Sequence, residues 1–257
     1  MLRILVDFYV KYSGTIVCTT SRLIGLEVEV DGGSAATNTP AVAGWDLVGD
    51  SSLVTGAEYV LSVPSTFDGA ASRLRGLSEA LVAEKAKVSV SCGFHVHVSA
   101  GDYSLDDAIR LAKTYDHFWT ALCKILPKSR HKNAYCSRVP ASKLNGKRLC
   151  GIFLLSELAE DRCQAKSSRL TSALSLSYLR CSKPEHRSVE FRHAGSSKNF
   201  HKLLGWTSLC ATLTDGAKLG LDYLKFRKSL GGLVSYLDEV ERQTGGDGLA
   251  EWVAWRR

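Results

Sequence analysis

Three short segments of the chain alternate apolar and polar residues with a period of two, which predicts β-strands. The segments are 24–30, 91–99 and 188–193. Each strand would have one apolar face, and its other face would carry functional groups: Glu27 and Glu29, then His95, His97 and Ser99, then Glu190 and Arg192. If the three strands join one curved sheet, the concave face gathers three carboxylates, two imidazoles and a guanidinium.

The crowding of carboxylates on that face predicts a bound cation. A lone His-x-His segment is more often two partly exposed histidines on an edge strand. The two acidic strands change this interpretation, because neighbouring carboxylates become protonated unless cations neutralise them. Imidazoles at neutral pH are also suited to holding a divalent cation or to contacting phosphate. We therefore expect divalent metal at this face.

Other patterns predict the remaining elements. Segment 56–64 is an apolar run interrupted by Glu58, which predicts another strand on which Glu58 alone would be a structural rim residue. Segment 170–179 alternates apolar residues with Ser and Thr, so it predicts a strand that could pair with the Glu190 strand. Residues 127–136 read as a polar, cationic loop, and 138–167 as loop plus a short helix. Helical spacing predicts helices over about 65–86, 104–127 and 198–227, and a shorter one after Gly231-Gly232 that runs to Arg242.

These elements together predict an α+β fold, with a curved, mostly antiparallel sheet backed by helices. The chain has 257 residues, of which 45% are hydrophobic and 23% charged, so we expect one large globular domain. The net charge of +7 indicates an anionic partner, although the Lys and Arg residues are scattered along the chain. Charge alone leaves nucleotide, nucleic acid and acidic peptide as candidates.

The cysteines and the apolar runs bear on location. The 8 cysteines show no Cys-x-x-Cys spacing, which argues against zinc-finger and thioredoxin-like sites and suits reduced thiols. Charged residues interrupt the apolar start of the chain, so we expect no signal peptide there. No apolar run approaches the length of a membrane span. We expect a cytoplasmic protein without a membrane partner.

Six motifs in this order resemble those of the amidoligase family, carboxylate-amine ligases that are similar to glutamine synthetase and γ-glutamylcysteine ligase. The resemblance covers residues 25 to about 206, and the His95-x-His97-x-Ser99 strand looks like the histidine strand of glutamine synthetase. The motifs are Gly25-Leu26-Glu27-Val28-Glu29, Trp45 with Asp50-Ser51-Ser52, Gly56-x-Glu58, Cys92-Gly93-Phe94-His95-Val96-His97-Val98, Ser129-Arg130-x-x-Asn133-x-Tyr135-Cys136 and Glu190-Phe191-Arg192-His193.

The resemblance implies a chemistry and a set of residue roles. It implies ATP-dependent formation of an amide or isopeptide bond through an acyl phosphate, with Mg²⁺ or Mn²⁺ bridging ATP phosphates. The partners would be ATP, a carboxylate-bearing substrate and an amine, and we do not expect nucleic acid. Catalytic roles fall to Glu190, Arg192 and Arg130, nucleotide or phosphate contacts to His97, Ser99, Arg192 and Arg130, and metal ligation to Glu27, Glu29, Glu58, His95 and Glu190.

The same resemblance implies a division of the chain and leaves alternatives open. Residues 1–20 would be a leader or an extra strand, 21–215 a catalytic domain with a glutamine-synthetase-like pocket, and 216–257 a helical extension of that domain. One alternative is a catalytically weak nucleotide- or metal-binding module that engages an acidic partner or nucleic acid. Another is metal-dependent hydrolysis, which would need an open metal position and a general base.

Overall fold

The computed structural model describes residues 14–31, 40–49, 56–131, 136–138 and 173–256. Several sequence predictions fall outside these ranges. They are the first part of the expected leader, nearly all of the expected loop and helix at 138–167, and the motif residues Asp50, Ser51, Ser52, Asn133 and Tyr135.

One six-stranded sheet organises the described residues, in the order β2-β3-β1-β4-β6-β5. All neighbouring strands pair antiparallel, as the sequence predicts. The strands are β1 (Ile24–Asp31), β2 (Trp45–Gly49), β3 (Gly56–Leu61), β4 (Gly93–Ser99), β5 (Leu174–Ser175) and β6 (Ser188–Gly195). The three strands with functional groups, β1, β4 and β6, lie side by side in the sheet.

The two faces of the sheet differ as the alternation predicts. The apolar side chains Leu26, Val28, Phe94, Val96 and Phe191 are at most 1% exposed and form part of the core. The opposite face carries the carboxylates and imidazoles. Antiparallel pairing places functional residues directly opposite one another, since side chains that face each other across two strands lie on the same side of the sheet. We call this polar side the acidic face.

The pairing of β4 with β6 contains a register shift. Val96 lies opposite Phe191, but Phe94 lies opposite Ala194, so β6 has one extra residue between these pairs. Such a β-bulge allows a strand to keep apolar residues on the core side although the simple alternation is interrupted. As a result both His193 and Ala194 are buried, at 0% and 4% exposure.

Six α-helices are present among the described residues, so the α+β class is confirmed. They are α1 (Phe67–Ala83), α2 (Leu105–His117), α3 (Trp119–Ile125), α4 (Phe200–Lys218), α5 (Leu230–Thr244) and α6 (Leu249–Trp255). Ser104 caps α2 in a capping box with Asp107, as expected from the sequence. Helix α4 is largely buried and packs against α1, α2, α5, α6 and β4.

Two predicted helices are wrong in length. The predicted helix 104–127 is divided in two because Phe118, with φ −92° and ψ 7°, leaves the helical region between α2 and α3. The predicted helix 198–227 ends at Lys218, close to Gly220, whose φ of +75° favours glycine. Gly231 and Gly232, which were expected to precede a helix, instead form the first turn of α5 after its cap Ser229.

Of the strand predicted at 170–179, the structure describes residues 173–179. Within this range the strand is Leu174–Ser175, and Ser175 lies opposite Glu190 of β6, so the predicted pairing is confirmed. Leu176 has φ −105° and ψ 10°, which ends the extended conformation, and a 3₁₀ helix follows over Ser177–Arg180. Helix α6 and strand β2 were not predicted at all.

Two further observations concern the whole chain. The described cysteines are all free thiols, which agrees with the expectation from their spacing. Within the described ranges, none of the helices combines the length and apolar character needed to cross a lipid bilayer.

Candidate active site

Glu27, on the central strand β1, is the middle of the acidic face. It lies opposite His95 in the register. Its two oxygens contact both imidazoles of β4: Oε2 lies 2.8 Å from His95 Nδ1 and Oε1 lies 3.1 Å from His97 Nε2. One carboxylate thus bridges the two histidines of the His-x-His motif. This is possible because alternate residues of β4 face the same side of the sheet and β1, which carries Glu27, is the neighbouring strand.

His95 is surrounded by four carboxylates. Besides Glu27, its Nε2 lies 3.4 Å from Glu29 Oε1, and its Nδ1 lies 3.8 Å from Glu58 Oε1 and 3.9 Å from Glu190 Oε1. His95 is only 5% exposed. The register explains why Glu58 belongs to the group, because it lies directly opposite Glu29. Glu58, which its own strand alone indicated to be a structural rim residue, is therefore part of the carboxylate group around His95.

Glu190 and Arg192 form an ion pair at the β6 side of the face. Arg192 Nη1 donates to Glu190 Oε1, and Glu190 is 3% exposed. Glu190 lies opposite His97 on one side and Ser175 on the other. Both functional residues predicted on the third strand, Glu190 and Arg192, therefore join the cluster.

Arg130 reaches the cluster from a short 3₁₀ helix, Lys128–Arg130, which follows α3. A Cβ at Gly93 would lie 2.9 Å from Arg130 Nη2, 2.8 Å from His95 Nε2 and 3.1 Å from Glu29 Oε1. The guanidinium is thus stacked over Gly93, where any larger residue would collide with it. Arg130 is 3% exposed, and its Nε and Nη2 find no hydrogen-bond partner among the described residues.

The charges of the cluster affect its titration. Burial tends to raise the pKa of Glu27, but the hydrogen bonds from His95 and His97 hold that pKa well below its usual range. Burial likewise opposes protonation of His97, yet its contact with Glu27 raises the pKa of His97. Burial, followed by the negative charges of Glu190 and Glu27, raises the pKa of Tyr178 to about 12. The carboxylates therefore favour protonation of His97 and disfavour ionisation of Tyr178.

Comparison with known proteins places this arrangement in a family. The family described as "Putative amidoligase enzyme" matches residues 23–214, three quarters of the chain. The chain belongs to this amidoligase family.

The chain was also compared with curated proteins and with solved structures. No curated protein matches this amidoligase family member. It resembles the solved structure of a bifunctional glutathione synthetase from Pasteurella multocida, with 11% identity and a TM-score of 0.48. The match covers 91% of this chain and 47% of the other, so the chain spans about half the length of that protein.

Among the described residues of this amidoligase family member, two groups of side chains could hold metal ions. One consists of Glu27, Glu58 and His95, and the other of Glu27, His97 and Glu190. Within each group the candidate ligand atoms lie within 4.8 Å of one another. Glu27 is common to both groups. Oxygen donors with one imidazole suit Mg²⁺ less well than Mn²⁺, which accepts nitrogen more readily.

Three further residues of the predicted site have defined positions in the structure. Glu29, expected as a metal ligand, belongs to neither group and accepts a hydrogen bond from the Gly93 amide. His97, expected near the nucleotide, belongs to one of the groups. Ser99 lies at the end of β4, where its Oγ accepts from the Leu23 amide. Its partner in the register is Ser188.

A cavity of about 540 Å³ opens beside His97 and Ser99. Its apolar wall includes residues that are unusually exposed for their type, among them Val63 at 63%, Leu23 at 44% and Tyr178 at 42%. The Tyr178 ring meets the His97 ring edge-on at 5.1 Å between centroids. Tyr178 was not predicted as a site residue, because its position depends on the 3₁₀ helix that follows β5.

Proposed function

We propose that this protein is an ATP-dependent carboxylate-amine ligase that forms an amide or isopeptide bond through an acyl phosphate. The observation that carries the proposal is the cluster on the acidic face, where four carboxylates, two imidazoles and two guanidinium groups converge from four strands and a loop. A cluster with so many buried charges is costly unless ligands of complementary charge fill it. Membership of the amidoligase family supports this reaction class.

The acidic residues fit a divalent cation, which when bound would bridge phosphate oxygens of ATP and offset their charge. Glu27, Glu58, His95 and Glu190 supply the donors, with His97 as a further donor at the β6 side. The Gly93 amide donates to the Glu29 carboxylate and keeps it in place, so that Glu29 could complete the ligand set. We expect Mg²⁺ or Mn²⁺.

The arginines serve the transfer itself. A substrate carboxylate oxygen attacks the γ-phosphorus of ATP and ADP leaves; the amine nitrogen then attacks the acyl carbon, phosphate leaves, and the nitrogen loses a proton. Arg192 would contact the transferred phosphoryl group, because its planar fork can stabilise the charge on the equatorial oxygens. Arg130 would hold phosphate or the substrate carboxylate with its unpaired Nε and Nη2.

The cavity beside His97 and Ser99 would hold the nucleoside of ATP. Its apolar wall of Leu23, Val63, Pro64 and Tyr178 suits a flat base, and His97 would lie between the base and the carboxylates. This arrangement supports the nucleotide-binding role expected for His97 and Ser99.

The first test is calorimetric titration of ATP with and without Mg²⁺. We expect binding that requires metal and is lost in Glu27→Gln, because Glu27 belongs to both candidate metal groups. Glu79→Gln makes the same chemical change on the exposed surface of α1 and should bind like the wild type. Metal-independent binding, or equal binding by both variants, would place the triphosphate elsewhere.

The second test concerns the acyl phosphate. Carboxylates are screened with ATP, Mg²⁺ and hydroxylamine, which converts an acyl phosphate to a hydroxamate. A carboxylate that gives hydroxamate and ADP in equal amounts identifies the acyl substrate. ATP binding without any hydroxamate or ADP across the screen would favour the alternative of a nucleotide-binding module.

A further inference from the structure

A second cavity, which shares no lining residue with the cluster of the acidic face, lies among α3, α4, α6 and the end of β6. Its volume is about 420 Å³, within the range of roughly 300–1,000 Å³ that is typical of small-molecule sites. It has an apolar wall and a polar wall. The apolar wall is formed by Phe94, Ile125, Leu126, Pro127, Leu203, Trp206 and Trp252, and the polar wall by Lys124, Gly195, Ser196, Ser197, Lys202 and Arg256.

All the charged residues that line this cavity are cationic. Lys124, Lys202 and Arg256 come from three different helices or helix ends, and no Asp or Glu is among the described lining residues. Burial, and then the charge of Arg256, lowers the pKa of Lys202, while burial lowers the pKa of Arg256. The positive charges of Lys202 and Arg256 therefore repel each other, and an anion bound between them would relieve that repulsion.

Several buried polar atoms of the lining residues are unpaired among the described residues. The indole nitrogens of Trp206 and Trp252 are buried without a hydrogen-bond partner in the described part of the chain, and so are Arg256 Nε and Ser196 Oγ. Both tryptophans are 2% exposed. Buried polar atoms normally have partners, so this concentration around one cavity points to a ligand that accepts hydrogen bonds.

We propose that this cavity binds a small organic anion, with its carboxylate or phosphate at the cationic wall and an apolar body against the two tryptophans. Arg256 Nη2 already donates to the Ile125 carbonyl, 2.9 Å away, which orients the guanidinium. The residues of this site are separate from the carboxylates of the acidic face. The proposal therefore does not rest on the ligase assignment.

The test is calorimetry with phenylacetate and phenyl phosphate as probes, and with benzyl alcohol as the neutral comparison. We expect saturable binding of at least one anion, accompanied by a change in tryptophan emission, and no binding of benzyl alcohol. The tighter of the two anions identifies the head group. ATP binding, measured on the same samples, reports on the acidic face independently.

Three variants locate the site. Arg256→Gln and Lys202→Gln should each weaken anion binding about tenfold or more, because each removes a charged donor. Lys228→Gln removes the same charge from an exposed position outside the cavity and should leave binding unchanged. Circular dichroism checks that each variant is folded. No saturable binding by either anion, equal binding of benzyl alcohol, or anion binding that survives both cavity substitutions would each overturn the proposal.

Discussion

At the scale of single residues, the carboxylates of the acidic face differ in how their neighbours hold them. Glu190 is paired with Arg192 and Glu29 with the Gly93 amide, while Glu27 is bridged to two imidazoles. Each side chain is fixed by a different partner, so the negative charge is kept at defined positions. Substitutions that keep shape and remove charge should therefore separate chemistry from folding.

Glu190→Gln and Glu29→Gln should each lower turnover about 100-fold or more and leave the fold intact. Gln preserves the side-chain volume, but it removes charge from the group of donors around His95. Steady-state ADP release gives the rate, and circular dichroism gives the fold. Wild-type activity in both variants would contradict the metal assignment of this face.

Arg192→Lys should lower kcat about 100-fold and change the Kd for ATP only a few-fold. A lysine keeps the positive charge near Glu190, but its point charge cannot replace a planar fork at the transferred phosphoryl group. The two quantities come from steady-state rates and from calorimetry. Arg227→Lys, an exposed arginine, is the control. Parallel losses in kcat and in ATP affinity would indicate a general binding role instead.

At the scale of elements, β6 has different roles on its two faces. Its core side carries His193, which stacks on Trp119 at 4.2 Å between centroids and whose Nδ1 lies 3.1 Å from Tyr115 Oη. This residue belongs to a family motif, yet it faces away from the carboxylates. Burial first, and then the cations His131 and Arg130, lower the pKa of His193 to about 3.

This low pKa should make stability depend on pH. Between about pH 6.5 and 3 the unfolded chain binds a proton at residue 193 and the folded chain does not. The free energy of unfolding should therefore fall as pH falls, with this residue contributing a slope of about 1.4 kcal/mol per pH unit. Above pH 6.5 its contribution is constant.

Urea denaturation at several pH values between 7 and 4 measures this slope. His193→Gln should reduce the slope relative to wild type, and His186→Gln, at an exposed histidine, should not. An unchanged slope in His193→Gln would mean that other groups account for the acid sensitivity.

The elements also show what the sequence can predict. The faces of β1, β4 and β6 were predictable because side-chain alternation is a local property of a strand. The register was not, and it is the register that places Glu58 opposite Glu29 and Glu27 opposite His95. Arg130 was expected at the site only from a motif, since its position over Gly93 depends on long-range packing.

The predicted helix boundaries were wrong where tertiary packing determines the boundary. Phe118 is fully buried and interrupts a pattern that otherwise favours one continuous helix. Helix α6 has only seven residues, too few for its periodicity to be distinguished from a turn. It depends on Glu241 of α5, whose Oε1 accepts from the Leu249 amide and whose Oε2 accepts from the Ala250 amide.

At the scale of the whole molecule, the family match ends at residue 214 but the core does not. Leu233, Tyr236, Leu237 and Val240 of α5 are completely buried, and Trp252 of α6 packs against Gly205 of α4. The last two helices therefore share the core of the sheet domain.

A chain that ends at residue 218 should lose cooperative unfolding, because removing α5 and α6 exposes the buried face of α4. Thermal unfolding followed by calorimetry compares it with the full chain. A second truncation after residue 245 removes α6 alone and should retain a transition at a lower Tm. A cooperative transition of unchanged Tm in the shorter chain would show that the matched region folds on its own.

The register shift between β4 and β6 means that the surroundings of this site can change by insertion or deletion as well as by substitution. Because the extra residue lies just after Phe191, the strand before it and the strand after it are out of phase. Deleting one residue there would leave Glu190 in place. The side chains that follow, up to Gly195, would move from one face of the sheet to the other, and Gly195 packs against Arg130. Changes in length at this point, rather than substitutions, could therefore alter what surrounds Arg130 while the carboxylates of the acidic face keep their positions.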